Sequence, residues 1–241
     1  MAQPKRPSKE LIEKLRSIGS ATASGEMKRL GIRNPHMIGP VARTPGKTIA
    51  GPAMTLLFMP RREDLYPDGE YVAPDQQVHR HALLDAQPGD VVVVDARGSM
   101  TSGVFGEMML TYFKGKGGAG IIVDGCIRDF PEAQKLDLPM WLRGTTPNFH
   151  TQTDIFPMAH NVPIACGGVL VMPGDIIVAD DDGAVVVPLA LAEQLSEKAG
   201  EHAEWEVFSR MKLAQGGDLR KYYPLSDEAR VEYEEWKKTN G

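Results

Sequence analysis

The stretch from Gly120 to Asp129 reads Gly-Ile-Ile-Val-Asp-Gly-Cys-Ile-Arg-Asp. Its run Ile121–Val123 is apolar and β-branched, which is typical of a strand buried on both faces of a parallel sheet. Polar residues follow at once, and they end in the adjacent pair Arg128 and Asp129. In layered α/β domains, ligands bind where loops leave the carboxyl ends of the strands. The stretch therefore predicts a parallel α/β sheet with a candidate site at Arg128 and Asp129.

A second strand with the same character lies upstream. Residues Pro88–Asp90 form a predicted turn, because proline and glycine suit its central positions, and the buried run Val91–Val94 follows. Glu107–Lys114 reads as a helix between the two strands. A similar turn and strand recur at residues 173–180, and Ala184–Val187 is expected to pair with that strand as a hairpin. Strands that alternate with short helices predict an α/β layered sandwich.

The chain is expected to have two parts. Residues 1–187 form the α/β domain, beginning with helices over residues 8–31 in which Ser8 caps the start. Residues 188–241 form a C-terminal helical extension: a long helix to about Gln215 and then a charged, aromatic tail. The tail is too short to fold alone, so we expect it to pack on a neighbouring subunit or on the body of the protein.

Composition excludes several classes of protein. The chain has 241 residues, of which 42% are hydrophobic and 24% charged, and its net charge is −5. An acidic chain without a basic block argues against nucleic-acid binding. Two cysteines without a CxxC motif argue against a thiolate zinc site and indicate a reducing cytoplasm. No apolar run approaches the roughly 20 residues that span a bilayer, and residues 1–8 do not resemble a signal peptide. We expect a cytoplasmic protein without a membrane partner.

Three motifs have simpler explanations than a functional site. Residues 115–120 match GxGxxG, but they follow a helix and precede a strand, so they predict a helix stop rather than a dinucleotide site. Residues 180–183, Asp-Asp-Asp-Gly, lack the spacing and closing glutamate of a calcium loop, and a solvated hairpin turn is expected. His79 and His81 are predicted to be surface residues.

The pair Arg128 and Asp129 has two interpretations. It could be a surface ion pair that contributes little to stability. However, the glycine-rich loop 103–106 leads into a helix that begins at Glu107, and amides at a helix N-terminus bind carboxylates. Glu107 could stabilise the helix dipole alone, or it could face a cation beside Asp129. Carboxylate ligands select a hard cation, Mg²⁺ or Mn²⁺. An arginine, free amides and such a cation together suit an anionic oxo acid.

The segment Val91–Arg143 resembles the RraA-like proteins, which include metal-dependent aldolases for 4-hydroxy-4-methyl-2-oxoglutarate and 4-carboxy-4-hydroxy-2-oxoadipate. The resemblance extends over most of residues 10–215, and it implies a swivelling-domain-like α/β sandwich that assembles as a homotrimer or a hexamer of two trimers. The segments that carry it are Gly51–Thr55, Pro88–Asp95, Gly106-Glu107, Gly120–Asp129, Pro163–Gly168 and Pro173–Val187.

The resemblance also implies a class II pyruvate aldolase that cleaves a 4-hydroxy-2-oxo acid. Asp129 would bind Mg²⁺ directly, and Arg128 would stabilise the pyruvate enolate and acidify the water that protonates it. Glu107, and Glu206 of a neighbouring subunit, would hold waters on the metal. Oxaloacetate decarboxylation uses the same enolate and is an expected side activity. The backbone amides that would receive the substrate carboxylate are those near Gly106, Glu107, Met108 and Met109.

Several alternatives stay open at this point. Glu204 competes with Glu206 for the intersubunit role, and either could be a solvated acid. The family takes its name from a regulator that binds and inhibits a ribonuclease. Members of that type can lack the aspartate after the arginine, so Asp129 favours the aldolases. A methyltransferase is a further alternative, but the sequence contains no nucleotide-binding fingerprint in the right context.

In the charged loop Arg61–Gln77, Arg61 or Arg62 could bind a distal carboxylate of the substrate, although these side chains could equally be solvated.

Overall fold

A computed structural model describes residues 6–64, 77–149 and 153–240, so most of the loop 61–77 lies outside the described residues. The chain forms two compact units, Met1–Leu195 and Ser196–Gly241. Within the described ranges, no helix is both long enough and apolar enough to cross a membrane.

The first unit is an α/β structure. Its helices are α1 (Lys9–Arg29), α2 (Val78–Asp85), α3 (Glu107–Gly115) and α4 (Phe130–Ala133), with 3₁₀ turns at Gln134–Leu136 and Leu189–Leu191. Its strands are β1 (Val41–Ala42), β2 (Ile49–Pro60), β3 (Val91–Gly103), β4 (Gly120–Ile127), β5 (Met140–Thr145), β6 (Ile155–His160), β7 (Ile164–Cys166), β8 (Val169–Val171), β9 (Ile176–Asp180) and β10 (Gly183–Val187).

One large sheet has the strand order β1-β5-β4-β3-β2-β9-β10, with β6 also paired to β2, while β7 and β8 form a separate ribbon. Strands β2 to β5 pair in parallel, whereas β9 and β10 form the expected antiparallel hairpin. Because β3 and β4 are parallel neighbours, the loops after both strands leave the same edge of the sheet. This confirms the α/β layered fold predicted from the sequence.

Both faces of the central strands are buried. Successive side chains of a strand point to opposite faces. Val92 therefore packs in one cluster with Leu110 and Phe113 of α3, whereas Val93 packs in another with Trp141 and the β7–β8 ribbon. This double burial explains the uninterrupted valine run that predicted the strand.

Helix α1 is bent at Gly19, whose φ of 74° and ψ of 171° are not helical. The side chain of Ser8 accepts a hydrogen bond from the Leu11 amide at 3.1 Å, as the predicted cap requires. Gly25 lies inside the helix without interrupting it. A glycine costs a helix only about 1 kcal/mol, and the burial of Ala23 and Met27 offsets that cost.

Two expectations about the central region are wrong. Strand β3 does not end at Val94 but continues to Gly103, through shifts of register around Ser99. Arg97 and Gly98, with φ of 57° and 68°, make an irregularity within this strand. His79 is 3% exposed rather than on the surface, because it shares the buried face of α2 with residues one turn further on.

The second unit contains most of α5 (Ala192–Ala214), α6 (Leu219–Tyr222) and α7 (Asp227–Asn240). Phe208 of α5 is buried against Ala229 and Tyr233 of α7, so the charged tail packs on the long helix that precedes it. The hydroxyl of Ser209 donates to the Tyr222 carbonyl at 2.7 Å and ties α6 to α5. Aromatic side chains thus give this short unit a core of its own.

Candidate active site

The loop 103–106 is fixed against the end of β4 by main-chain hydrogen bonds. The Val104 amide donates to the Cys126 carbonyl at 3.0 Å, and the Arg128 amide donates to the Phe105 carbonyl at 2.9 Å. A Cβ atom at Gly103 would lie 2.5 Å from the Asn148 carbonyl oxygen, so only glycine permits this close approach. These contacts place the start of α3 beside Arg128 and Asp129.

Gly106 is the point where the predicted site residues meet. A Cβ atom at this position would lie 2.8 Å from Oδ2 of Asp129 and 3.0 Å from Nε of Arg128. Gly106 also caps α3, and its carbonyl accepts from the amides of Met109 at 3.1 Å and Leu110 at 3.2 Å. The structure therefore brings together a carboxylate, a guanidinium and a helix N-terminus that are more than 20 residues apart in sequence.

The amides at the start of α3 differ in their availability. That of Met109 is already bonded within the helix. Those of Glu107 and Met108 come before the first helical hydrogen bond, and they have no acceptor among the described residues. They lie at the positive end of the helix dipole. Of the four amides expected to receive a carboxylate, that of Met109 is thus the least suited.

Asp129 adopts an uncommon backbone conformation. Its φ of 58° and ψ of 30° lie in the left-handed region, which costs about 1–2 kcal/mol for an L-residue and is tolerated best by aspartate and asparagine. Although Asp129 precedes α4, its side chain does not cap that helix. The carboxylate is 41% exposed, and Oδ2 lies 3.5 Å from Nη1 of Arg128. The carboxylate thus faces solvent beside a cation. It accepts no hydrogen bond from the amides at the start of α4.

Glu107 and Met108 are the first two residues of α3, which begins beside Asp129. Oε1 of Glu107 accepts a hydrogen bond from the Thr111 hydroxyl at 2.6 Å, so the carboxylate lies along its own helix. Met108 is 76% exposed. In the part of the chain that the structure describes, no three acidic, histidine or cysteine side chains cluster tightly enough to form a metal cage. Mg²⁺ commonly binds through one or two carboxylates and keeps several waters. The donor set around Asp129 fits that mode.

The two candidate acids of α5 differ in their surroundings. Glu204 is paired with Lys237 and accepts from the Tyr233 hydroxyl, and the hydrogen bond with Lys237 is the main reason that its pKa is lowered. Oε1 of Glu206 lies 3.0 Å from Nε2 of His202. The second unit therefore neutralises Glu204 with a lysine, whereas Glu206 has a histidine partner.

Sequence reasoning missed a buried polar network on β3 and β4. Oδ2 of Asp124 accepts from the Gly167 amide at 2.9 Å, and Oδ1 accepts from Nε of Arg143. Oδ1 of Asp95 accepts from the Arg97 amide at 3.0 Å, and burial raises the pKa of Asp95. The sequence did contain an indication of this network, because each aspartate directly follows a run of valine or isoleucine that forms a buried strand. These carboxylates anchor the loop between β7 and β8 to the sheet.

Cys166 lies beside that network, with its thiol buried. The thiol is fully buried and lies 3.7 Å from the Val94 carbonyl oxygen, to which it donates. Burial raises the pKa of the Cys166 thiol well above its usual value, and the nearby Asp124 and Asp95 add to the effect. A thiol that stays protonated is a poor nucleophile.

Parallel central strands with an arginine, an exposed carboxylate and helix N-terminal amides at one edge place this chain among α/β proteins whose strand ends can accommodate a small anion. Comparison with known proteins identifies the particular group. The RraA-like family model, described as Aldolase/RraA, matches residues 20–186, and the chain belongs to this family.

Two relatives match at high identity. The crystal structure of Streptomyces coelicolor RraAS2, an unusual member of the RNase ES inhibitor RraA protein family, is 48% identical with a TM-score of 0.80, and covers 86% of this chain and 99% of that one. A Halalkalibacterium halodurans protein named putative 4-hydroxy-4-methyl-2-oxoglutarate aldolase is 44% identical over 118 residues, which are 49% of this chain and 55% of the relative. The chain thus spans about half the length of that curated relative.

A third comparison supports the fold alone. The structure of an uncharacterized protein from Pseudomonas syringae pv. tomato is 22% identical, with a TM-score of 0.78, and the match covers 97% of this chain and 98% of that one.

Proposed function

We propose that this protein is a divalent-metal-dependent aldolase that cleaves a 4-hydroxy-2-oxo acid to pyruvate and a carbonyl compound, with oxaloacetate decarboxylation as a side activity. The observation that carries the proposal is the convergence of the Asp129 carboxylate, the Arg128 guanidinium and the start of α3 around Gly106. The name of the Halalkalibacterium halodurans relative supports the same reaction.

Asp129 is the residue that would hold Mg²⁺ or Mn²⁺, with Glu107 and a neighbouring subunit's Glu206 acting through water. The bound ion supplies a Lewis acid for the 2-oxo group. The amides of Glu107 and Met108 bind the substrate carboxylate, because they point out of the helix N-terminus without an acceptor. Together these groups orient the C3–C4 bond of the substrate for cleavage.

Arg128 handles the charge that develops during cleavage. When the C3–C4 bond breaks, a water accepts the proton of the 4-hydroxyl group, whose C–O unit becomes the carbonyl of one product, and the electron pair of the broken bond forms the enolate of pyruvate. The guanidinium, 39% exposed and next to Asp129, places a fixed positive charge at the enolate oxygen. It also orients and acidifies a water that donates a proton to the enolate carbon. Arginine suits both tasks because it stays charged at every relevant pH.

The proposal includes an assembly. If Glu206 acts on a neighbouring subunit's site, the active protein is an oligomer, and we propose a homotrimer or a hexamer of two trimers in the cytoplasm. Its partner is a small 2-oxo acid rather than nucleic acid. Light scattering of the purified protein measures the assembly, and a monomer with full activity would contradict it.

The test is pyruvate release coupled to lactate dehydrogenase, with 4-hydroxy-4-methyl-2-oxoglutarate or oxaloacetate, in Mg²⁺ or in EDTA. We expect release that depends on Mg²⁺ and that Asp129→Asn lowers at least about 100-fold. Asp137→Asn is the matched control, since Asp137 is also an exposed aspartate in the left-handed region, with a φ of 53°. Turnover that Asp129→Asn leaves unchanged would refute the assignment.

A second candidate function is a regulatory protein that binds and inhibits a ribonuclease. The observation that favours it is the likeness to Streptomyces coelicolor RraAS2, which extends over 86% of this chain at 48% identity. It predicts no pyruvate release from either substrate and inhibition of a ribonuclease by stoichiometric amounts of the protein. Asp129→Asn should then leave inhibition unchanged, because a metal ligand has no part in it.

A further inference from the structure

A cavity lies in the first unit, away from the candidate active site. Its volume is about 630 Å³, and it is open to solvent on one side and lined by the start of α1, the start of β2 and the turns that lead into β3 and β4. Gly89 and Ala119 line it and immediately precede these two parallel strands. Arg128 and Asp129 follow the carboxyl end of β4. The cavity therefore lies at the opposite edge of the same sheet.

The floor of this cavity is apolar. Its apolar lining residues include Ile12 of α1, Ile49 and Pro52 of β2, and Pro88 and Ala119 of the two turns. Ile49 is only 6% exposed, so the floor belongs to the packed core rather than to a loose surface. Such a floor offers an apolar ligand a surface to contact but gives few hydrogen bonds to a bare inorganic ion.

The rim of the cavity is cationic. Arg6, Lys9 and Arg16 line it together with a single acid, Glu13. Two of the cations are held by carboxylates: Nη2 of Arg6 lies 2.6 Å from buried Asp90, and Nη2 of Arg16 lies 2.7 Å from Glu13. Lys9 has no acidic partner among the described residues. Its ammonium group is thus the cation available to a ligand.

We propose that this cavity binds a small organic monoanion with an apolar body, such as a medium-chain or aromatic carboxylate. Lys9 pairs with the carboxylate, and the floor between Ile12 and Ile49 contacts the hydrocarbon. The volume lies within the roughly 300–1,000 Å³ typical of pockets for small molecules. The site is separate from the proposed catalysis, so binding there does not depend on whether the protein is an aldolase.

Calorimetry with octanoate and with benzoate tests the proposal on the full-length protein. We expect binding that Lys9→Met weakens about tenfold, because the substitution removes the charge and keeps the apolar stem. Lys14→Met is the matched control, since Lys14 lies on the same helix, pairs with Glu10 and does not line the cavity. Lys9→Met should leave pyruvate release unchanged, which separates this site from the candidate active site.

Three outcomes would overturn the proposal. One is no binding of either carboxylate up to about 10 mM, a concentration that reveals even millimolar affinity. Another is equal weakening by Lys9→Met and Lys14→Met, which would indicate general surface charge. The third is inorganic phosphate binding as tightly as octanoate, since the apolar floor would then contribute nothing. Circular dichroism establishes that each variant is folded.

Discussion

Gly106 and Asp129 approach closely: a Cβ atom at Gly106 would lie 2.8 Å from Oδ2 of Asp129, so the Asp129 side chain would have to move. The backbone of Gly106, with φ of −109°, is one that any residue can adopt. Glycine at this position therefore provides space for the Asp129 and Arg128 side chains rather than conformational freedom. The same methyl group would also lie 3.0 Å from Nε of Arg128. One substitution can thus displace both proposed catalytic side chains.

Gly106→Ala is expected to lower kcat/KM about 100-fold while the protein stays folded, because misplacing catalytic groups by 1 Å can cost that much. The Asp129 side chain is 41% exposed, so it can swing away without disturbing the core. Gly115→Ala is the control, since it lies at the other end of α3 with nothing within 4 Å. Unchanged pyruvate release by Gly106→Ala would place the reaction elsewhere.

Mixing two inactive variants tests whether Glu206 acts across subunits. Asp129→Asn and Glu206→Gln should each lose activity alone. After the two are mixed, unfolded and refolded together, some sites receive an intact Asp129 from one chain and an intact Glu206 from another, so a measurable fraction of wild-type activity should return. Glu204→Gln, which removes the acid already paired with Lys237, should stay active by itself. If activity does not return on mixing, Glu206 serves its own subunit's site or none.

The parts of the fold that the sequence predicted are those set by local patterns. The valine and isoleucine runs identified β3 and β4 because both faces of these strands are buried. The glycines after Lys114 correctly predicted the end of α3, where the Gly118 amide donates to the Phe113 carbonyl. The adjacent Arg128 and Asp129 were located by their place after a buried strand.

The parts that were missed depend on contacts between distant segments. Asp124 is bonded to Gly167, which is 43 residues away, and Asp95 to Ala165, which is 70 residues away. The ribbon of β7 and β8 that these bonds hold has no strong period of its own, since its strands are three residues each. The cavity beside Lys9 was also missed, because it is lined by four segments that are distant from one another in sequence.

Asp180 is predicted to stabilise the bend in α1. Its carboxylate accepts from the Ser20 amide at 2.7 Å and the Ser20 hydroxyl at 2.6 Å, just after the non-helical Gly19. Ser20 is 3% exposed, so removing the carboxylate leaves buried donors unsatisfied. Asp180→Ala should lower the free energy of unfolding by about 2–3 kcal/mol in urea titrations.

Asp182→Ala is the control for Asp180, because Asp182 is exposed and contributes only its main-chain amide to this network. Its free energy of unfolding should stay within about 0.5 kcal/mol of the wild type. Equal losses in the two variants would mean that the hairpin turn as a whole, and not the Ser20 contact, sets the stability.

Glu232 makes the stability of the second unit depend on pH in the acid range. Hydrogen bonds from Lys221, Lys212 and Tyr222, in that order of effect, lower the pKa of Glu232 from 4.5 to about 2. A carboxyl group with a lowered pKa in the folded state stabilises the protein above its unfolded pKa. That contribution is lost progressively as the pH falls from 4.5 to about 2. Glu232→Gln should therefore lower the Tm at pH 7, and the difference from the wild type should shrink towards pH 2. Trp205 and Trp236, which pack against the aromatic core of the second unit, report its unfolding by fluorescence.

Glu228→Gln is the matched control, because Glu228 is 83% exposed and lies 3.5 Å from Lys221. It should change the Tm little at any pH, and a Glu232→Gln difference that stayed constant from pH 7 down to pH 3 would show that the effect does not come from the charge of Glu232.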